Sequence, residues 1–150
     1  MAVTAFMYPM ILSTTWNKEA DLDTDTIKVA LSNTAYTYAA THKYFDASPF
    51  NAAWTELSTA NGYTAGGATL TSPTITNGQT TSWSGTIPNP TWTASGAGIS
   101  ATSAVFYDSS PASNKPLISY VLFGGTVSAP AGATITITPN GSGIISVVVT

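Results

Sequence analysis

Few residues of this chain carry side chains suited to catalysis or metal binding. Asp21, Asp23 and Asp25 form a D-x-D-x-D pattern, which opens the calcium loop of EF-hand proteins. That loop requires glycine at its sixth position and glutamate at its twelfth, where this sequence has Thr26 and Ser32. We therefore predict no metal site and interpret the three aspartates as an acidic turn that leads into a strand.

The sequence offers only weak candidates for a catalytic site. His42 is the single histidine, and no G-x-S-x-G motif surrounds any serine that could form a triad with it and Asp46. Asp46 and Glu56 would form a glycosidase pair only if the fold brought both into one cleft. The Gly-rich segment 62–67 lacks the lysine and the helix of a phosphate-binding loop. We predict no enzyme, no catalytic residues and no cofactor.

Several aromatic residues raise the alternative of carbohydrate binding, because exposed rings stack on sugars and anchor interfaces. They are Trp54, Tyr63, Trp83 and Trp92. We interpret them as core residues of a β-sandwich. Trp83 is the candidate exposed aromatic, because it lies between turn-prone segments.

The amino-acid composition excludes several kinds of site and partner before any fold is assigned. The 150 residues suffice for one domain, and the absence of cysteine excludes disulfides and thiolate metal sites. Only 7% of residues are charged, arginine is absent and the net charge is −3, which argues against nucleic acid and anionic membranes as partners. Nine of the eleven charged residues precede residue 57. Two interpretations stay open: a stable β-protein with a Thr-rich exterior, or a chain built for a dense assembly.

Targeting signals are weak. The longest apolar run is far below the ~20 residues that a membrane helix needs. The apolar segment 2–12 follows no basic residue and contains Pro9, which is untypical of a signal peptide. We expect the chain to be made and kept in a cytoplasm.

Strand signals recur along the chain every 8–12 residues, the spacing typical of a β-sandwich or small barrel. Period-two alternation or apolar runs predict the principal strands, at 26–32, 99–108, 117–123, 133–138 and 143–150. Asn77-Gly78 and Asn140-Gly141 are hairpin signals, 54–58 reads as a short strand, and 35–45 is the one segment suited to a helix. We predict an all-β fold, an antiparallel, jelly-roll-like β-sandwich over residues 25–150 with an extended N-terminal arm over residues 1–24.

The order of several segments resembles a family of small tailed-bacteriophage structural proteins, often assigned as head-decoration (cement) proteins. The most specific match is the segment N-G-Y-T-A-G-G-A-T-L at 61–70. The others are D-T-I-K-V-A-L at 25–31, the 36–45 turn with Thr41-His42, E-L-S at 56–58, T-W-T-A at 91–94, A-V-F-Y-D at 104–108, P-L-I-S-Y-V-L-F-G-G at 116–125 and the closing strand at 143–149. Together they span roughly residues 25–149.

The resemblance implies a capsid decoration protein that binds the outer surface of the major capsid lattice and stabilises the mature head. It implies the major capsid protein and copies of the same chain as partners, with a homotrimer favoured and a homodimer as the alternative, and it implies no nucleic-acid or membrane partner. The protein would be made in the host cytoplasm and lie on the virion surface. Phe6, Tyr8 and Trp16 in the arm are the candidate capsid or neighbour contacts, unless the arm is a strand packed on its own domain. The alternatives are a tail tube or fibre-associated protein and a carbohydrate-binding β-sandwich for host attachment.

Overall fold

The protein is an all-β chain built from antiparallel sheets. The computed structural model describes residues 3–76, 80–86, 89–138 and 145–148. Strand accounts for 38% and helix for 9% of the structure. Every strand pair among the described residues is antiparallel, which confirms the prediction of an all-β fold with antiparallel sheets. Threonine, valine, isoleucine and tyrosine supply the β-propensity of these strands.

The described residues form short strands and two brief helices. In chain order they are β1 (Thr4–Met7), α1 (Met10–Trp16), β2 (Ile27–Ser32), α2 (Phe50–Ala53), β3 (Ala68–Thr69), β4 (Thr71–Thr76), β5 (Thr80–Thr86), β6 (Thr91–Thr93), β7 (Ile99–Asp108), β8 (Leu117–Ala129), β9 (Thr134–Thr136) and β10 (Ile145–Val148). Neither helix has the length and apolar character that a membrane crossing would require within these described ranges.

A five-stranded sheet with the order β1-β8-β7-β2-β3 organises the molecule. The long strands β7 and β8 lie in its interior, so each pairs on both sides. A register shift between Ala101 and Ser103 changes which alternate residues face each side. Ile99 and Ala101 before the shift, and Phe106 after it, therefore reach the same core.

Hydrophobic side chains cover both faces of this sheet. Neighbouring residues of a strand point to opposite faces, and Val29 and Ala30 of β2 belong to different cores. The first core includes Ile11, Ile27, Leu31, Tyr63, Trp92, Phe106, Ile118, Phe123 and Ile135. The second, the aromatic core, includes Tyr8, Phe50, Trp54, Tyr107 and Tyr120, with Phe6, Tyr36, Tyr38 and Phe45 packed against it.

Two smaller sheets complete the described architecture. One has the order β10-β5-β4, in which β4 and β5 flank the predicted Asn77-Gly78 turn, a turn that lies outside the described residues. The other pairs β6 with β9, opposing Trp92 to Ile135, and both side chains are buried in the first core. The second predicted hairpin turn, at residues 140–141, also lies outside the described residues.

The helix prediction was wrong in position. Segment 35–45 contains no helix; instead, Tyr36, Tyr38 and Phe45 lay their rings against the aromatic core. The two helices lie on either side of that segment, and in the longer one, α1, Ile11 and Thr14 are buried three residues apart. The predicted strand at 54–58 is also absent, although the Leu57 N–H does donate to the Leu31 carbonyl oxygen at 2.9 Å. Tertiary packing of aromatic rings outweighed local propensity in these segments.

The N-terminal segment, predicted as an extended arm, packs on its own domain. Strand β1 pairs with β8 from Thr4 opposite Leu122 to Met7 opposite Ser119. The ladder continues with the Tyr8 N–H, which donates to the carbonyl oxygen of Ile118 at 3.0 Å. This arrangement corresponds to the alternative that the sequence left open, a strand packed on its own domain.

The segment 61–70 forms a tight turn followed by a close approach to β2. Asn61 and Gly62 have φ values of 53° and 90°, as in the two-residue turns that connect antiparallel strands. Ala60 and Tyr63 bridge across that turn. Gly67 has a φ of 70° and lies so close to β2 that an added Cβ would be 1.9 Å from the Val29 carbonyl oxygen. Only glycine fits this position without displacing backbone.

Candidate functional site

Large hydrophobic side chains that remain exposed concentrate near the N-terminus. Within the described residues they are Val3 (66% exposed), Met7 (37%), Leu12 (41%), Trp16 (79%) and Leu122 (37%). Four of the five lie in residues 3–16, and the fifth lies on β8 opposite Thr4 of β1. We call these five residues the N-terminal surface. Concentrated exposed apolar side chains of this kind mark interaction sites more often than isolated ones do.

Helix α1 presents two members of the N-terminal surface. Leu12 and Trp16 are four residues apart and share its exposed face, while Ile11 and Thr14 are buried on the other. The Thr14 hydroxyl donates to the Ile11 carbonyl oxygen at 2.8 Å. The buried face therefore fixes the direction in which Trp16 projects.

An ion pair holds the chain directly after α1. The Lys43 ammonium lies 3.1 Å from the Glu19 carboxylate, and the Tyr44 hydroxyl donates to the same carboxylate at 2.6 Å. The hydrogen bonds from Tyr44 and Lys43 lower the pKa of Glu19. Within the described ranges this is the one ion pair, and it anchors the C-terminal end of α1 to the 43–44 segment.

Strand β1 adds backbone groups to this surface. It is the outermost strand of the five-stranded sheet, next to β8. An edge strand presents N–H and C=O groups that can pair with an extended segment of another chain. On that outer side, the Met7 carbonyl oxygen already accepts the Tyr38 hydroxyl at 2.6 Å.

Two of the three predicted contact residues point inward. Phe6 is half-buried and stacks on Tyr38, with ring centroids 4.6 Å apart. Tyr8 has no exposed surface and packs edge-on against Phe50 at 6.2 Å. The prediction that Tyr8 contacts a neighbour is corrected here, because its ring lies wholly within the aromatic core of its own chain.

The structure describes the side chain of Trp16 but not that of Trp83. Trp16, the third predicted contact residue, is the most exposed member of the N-terminal surface. Trp83 belongs to β5 and pairs with Ile145 of β10, but its side chain lies outside the described part of the structure. Its prediction as an exposed aromatic stays a prediction.

The other aromatic candidates for sugar stacking are core residues. Trp54, Tyr63 and Trp92 are between 2% and 5% exposed, which confirms their interpretation as core. The Trp54 indole N–H donates to the Ser103 hydroxyl at 3.1 Å. No face of these rings is free to stack on a glycan.

His42 belongs to a buried hydrogen-bonded chain of side chains. Its Nδ1 lies 2.8 Å from the Tyr36 hydroxyl, which in turn lies 3.1 Å from the Tyr8 hydroxyl. Burial lowers the pKa of His42 and raises that of Tyr8, so both are neutral at pH 7. This arrangement supplies polar partners inside the aromatic core, which is the packing role that a lone histidine in a Tyr-rich turn predicts.

The three aspartates that resemble a calcium loop form a closed turn. The Asp25 N–H donates to the Asp21 carbonyl oxygen at 2.8 Å, and the Asp21 N–H donates to the Asp25 carboxylate at 2.7 Å. The Asp23 N–H donates to the Asp21 carboxylate at 3.1 Å, and hydrogen bonds of this kind lower the pKa of Asp21. This confirms the acidic turn. Across the described ranges, no three acidic, histidine or cysteine side chains are grouped to hold a metal ion.

Asp46 and Glu56 lie together in the lining of one open cleft of about 470 Å³. Phe45, Asn51 and Trp54 also contribute to it, and we call it the acidic cleft. The sequence could not establish this proximity, because the two carboxylates come from loops on either side of α2. The fold therefore brings both acids into the lining of one cleft.

Most residues of the N-terminal surface were not predicted from the sequence. Val3, Met7, Leu12 and Leu122 were not singled out, although Leu12 and Trp16 have the i, i+4 spacing of a shared helix face. Identifying α1 in the sequence would have revealed that pair. Leu122 had no such signal, because its surroundings depend on how β1 pairs with β8, where Leu122 lies opposite Thr4.

Comparison with known proteins returns no matching family model, no matching curated protein and no matching solved structure.

Proposed function

We propose that this protein is a bacteriophage capsid decoration protein that binds the outer surface of the major capsid lattice and stabilises the mature head. The observation that carries the proposal is the set of exposed large hydrophobic side chains in residues 3–16, on the outermost strand β1 and on α1, in a chain with only 7% charged residues. The order of segments between residues 25 and 149, which resembles that of decoration proteins, supports the same role. The proposal assigns no enzymatic activity and no cofactor to the chain.

The physical basis of the stabilisation is linkage. A protein that binds the assembled lattice and not its separate subunits shifts the equilibrium towards the assembled state. Trp16 and Leu12 are suited to this task, since a tryptophan that becomes buried at the centre of an interface commonly dominates its binding energy. Strand β1 can extend the contact by backbone pairing.

The proposal includes an assembly and a location. Closed symmetry favours a homotrimer at threefold positions of the lattice, with a homodimer at twofolds as the alternative. The chain would be made in the host cytoplasm and carried on the outside of the virion, with the major capsid protein as its partner and no nucleic acid or membrane bound. A jelly-roll-like sandwich is the proposed arrangement of its three sheets.

The direct test is copy number in purified virions, measured by quantitative mass spectrometry against the major capsid protein. A ratio near one, or a simple fraction such as one-third, is the expected result. A few copies per particle would instead indicate a tail tube or fibre-associated protein. Absence from the particle would overturn the structural role.

Removing the two exposed side chains of α1 should weaken lattice binding. We expect the double variant Leu12→Ala, Trp16→Ala to lose at least about 30-fold in affinity for heads that lack the protein, because interface hot spots contribute ~2 kcal/mol or more. Its folding stability should change little, since both side chains are exposed. Co-sedimentation with capsids measures the binding.

Thr69→Ala is a suitable control for that variant. Thr69 is exposed on β3, at the opposite edge of the same sheet from β1. The Thr69→Ala variant should therefore bind the lattice as tightly as the wild-type protein. Unchanged binding of the double variant would show that the N-terminal surface is not the capsid contact, even if the copy number supports decoration.

Binding to the lattice should depend only weakly on salt. With four lysines, seven acidic residues and no arginine, the chain has few charges to pair with the capsid. We expect the affinity to change less than about threefold between 50 and 500 mM NaCl, because apolar burial is not screened. Release of the protein from heads by moderate NaCl alone would contradict this prediction.

A further inference from the structure

Asp108 is a buried carboxyl group with an incomplete set of hydrogen bonds. It ends strand β7 directly opposite Ile27 of β2 and has no exposed surface. Its Oδ1 accepts the Ser110 N–H at 2.8 Å, whereas no donor within the described ranges reaches its Oδ2. Burying an ionised oxygen without a donor is costly, so this carboxyl group is stable there when a proton occupies it.

The side chain of Asp25 is the partner of this buried carboxyl group. Asp25 ends the acidic turn, where its Oδ2 accepts the Asp21 N–H at 2.7 Å, and its side chain forms a hydrogen bond with that of Asp108. Two carboxyl groups can share a hydrogen bond only when one of them carries a proton. Burial raises the pKa of Asp108 to about 7, and the contact with Asp25 contributes to the rise. We call Asp25 and Asp108 the carboxyl pair.

No positive charge in the described part of the chain compensates the carboxyl pair. The one ion pair there joins Lys43 to Glu19, and neither Lys18 nor Lys115 forms another. Lys28 lies on the other face of the sheet, because neighbouring residues of a strand point to opposite faces. The remaining charged groups of the acidic turn are themselves aspartates. Ionisation of both members of the pair would therefore leave two adjacent negative charges without a counter-ion.

Three hydrogen bonds join the two segments that carry the carboxyl pair. The Thr26 N–H donates to the Ser110 hydroxyl at 2.7 Å. The Thr26 carbonyl oxygen accepts both the Ser109 N–H at 2.9 Å and the Ser109 hydroxyl at 2.7 Å. Thr26 and Ser110 are exposed, so these bonds can break without disturbing either hydrophobic core.

We propose that Asp25 and Asp108 form a proton-dependent latch, which holds the acidic turn against the end of β7 while they share a proton and releases it when both are ionised. The latch is closed below pH 7 and opens as the pH rises above it. The inference does not rest on the proposed function, because every contact that carries it lies within one chain.

The test is hydrogen exchange of single amides in NMR spectra of the full chain, with protection factors compared at pH 6 and pH 8.5. We expect the protection of the Thr26 and Ser109 amides to fall about tenfold, since the pKa of Asp108 is about 7 in the closed latch and ~3.9 in water. The Ala94 N–H, which donates to the Ala133 carbonyl oxygen at 2.8 Å, should keep its protection.

Three variants isolate the shared proton. Asp108→Asn keeps an acceptor for the Ser110 N–H and supplies a permanent donor to Asp25, so the loss of protection should shrink to less than about twofold. Asp25→Asn removes the second charge and should reduce the loss to below about threefold. Asp23→Asn removes an exposed carboxylate of the same turn and should leave the tenfold loss unchanged.

Several results would overturn the latch. Protection factors of Thr26 and Ser109 that do not change with pH would do so, as would a loss that persists undiminished in Asp108→Asn. An equal loss at the Ala94 amide would show unfolding of the whole chain instead of a local release. Recovery of protection at pH 8.5 on addition of calcium chloride would overturn the assignment to a proton, since a cation would then hold the two carboxylates together.

Discussion

Replacing Gly67 with alanine is expected to lower the free energy of unfolding by more than about 3 kcal/mol. The new Cβ would lie 1.9 Å from the Val29 carbonyl oxygen and 2.9 Å from the Ala30 Cα, both backbone atoms of a central strand. Strand β2 cannot move away without breaking its pairing with β7, which extends from Ile27 to Ser32. Chemical denaturation monitored by circular dichroism measures the loss.

Gly132→Ala is the matched control for this steric effect. Gly132 has a φ of 86°, similar in kind to the 70° of Gly67, but no atom lies within 4 Å of its added Cβ. Its substitution should cost only the backbone strain of a left-handed residue, about 1–2 kcal/mol. Equal losses in the two variants would show that the close approach to β2 contributes nothing.

Replacing Asp108 with asparagine is expected to stabilise the protein at pH 8 by about 1–3 kcal/mol. Asp108 is completely buried at the end of β7, where its Oδ1 accepts the Ser110 N–H at 2.8 Å. Its Oδ2 has no hydrogen-bond donor among the described residues. An asparagine would keep the acceptor for Ser110 and would bring an N–H group close to the nearby carboxyl group of Asp25.

The effect should depend on pH with a defined sign. Burial raises the pKa of Asp108 to about 7, and the neighbouring Asp25 carboxyl group contributes to the rise. An unfolded aspartate has a pKa near ~3.9, so between about pH 4 and pH 7 the folded chain retains a proton that the unfolded chain has released. The contribution of Asp108 to stability is therefore present at pH 4 and is lost as the pH rises towards 8.

The difference between wild type and Asp108→Asn isolates this group. Burial lowers the pKa of His42, which contributes a slope of opposite sign in both proteins and cancels in the comparison. We expect the two unfolding free energies to be similar near pH 5 and to diverge by pH 8. The control Asp23→Asn removes an exposed carboxylate of the acidic turn. Its unfolding free energy should not diverge from that of wild type between pH 5 and pH 8. Parallel curves for wild type and Asp108→Asn would contradict the prediction.

The strands themselves were predictable because their pattern is local. The alternation at 26–32 and 99–108 corresponds to β2 and β7 within one residue, and the apolar run at 117–123 begins β8. The acidic turn before β2 followed from aspartates whose side chains bond to nearby backbone N–H groups. Interpreting Trp54, Tyr63 and Trp92 as core residues rested on their size and apolar rings, which is also local information.

The direction in which a side chain points was not predictable at several positions. Tyr8 lies in a segment that the sequence presents as a free apolar arm, yet pairing of β1 with β8 directs its ring into the aromatic core. Leu122 of β8, opposite Thr4, stays 37% exposed although its strand is paired on both sides. The shift between Ala101 and Ser103 reverses the alternation of β7, and a local pattern does not reveal where such a shift occurs.

The sequence by itself determined the all-β class, the low charge and the positions of the long strands, because these properties depend on composition and on neighbours along the chain. The tertiary structure alone decided which apolar residues stay exposed on α1, that Asp46 and Glu56 share one cleft, and that Asp108 is buried. Each of these depends on segments far apart in sequence that pack together. Contacts of that kind are set by the pairing and twist of whole strands, for which the local residue pattern carries no signal.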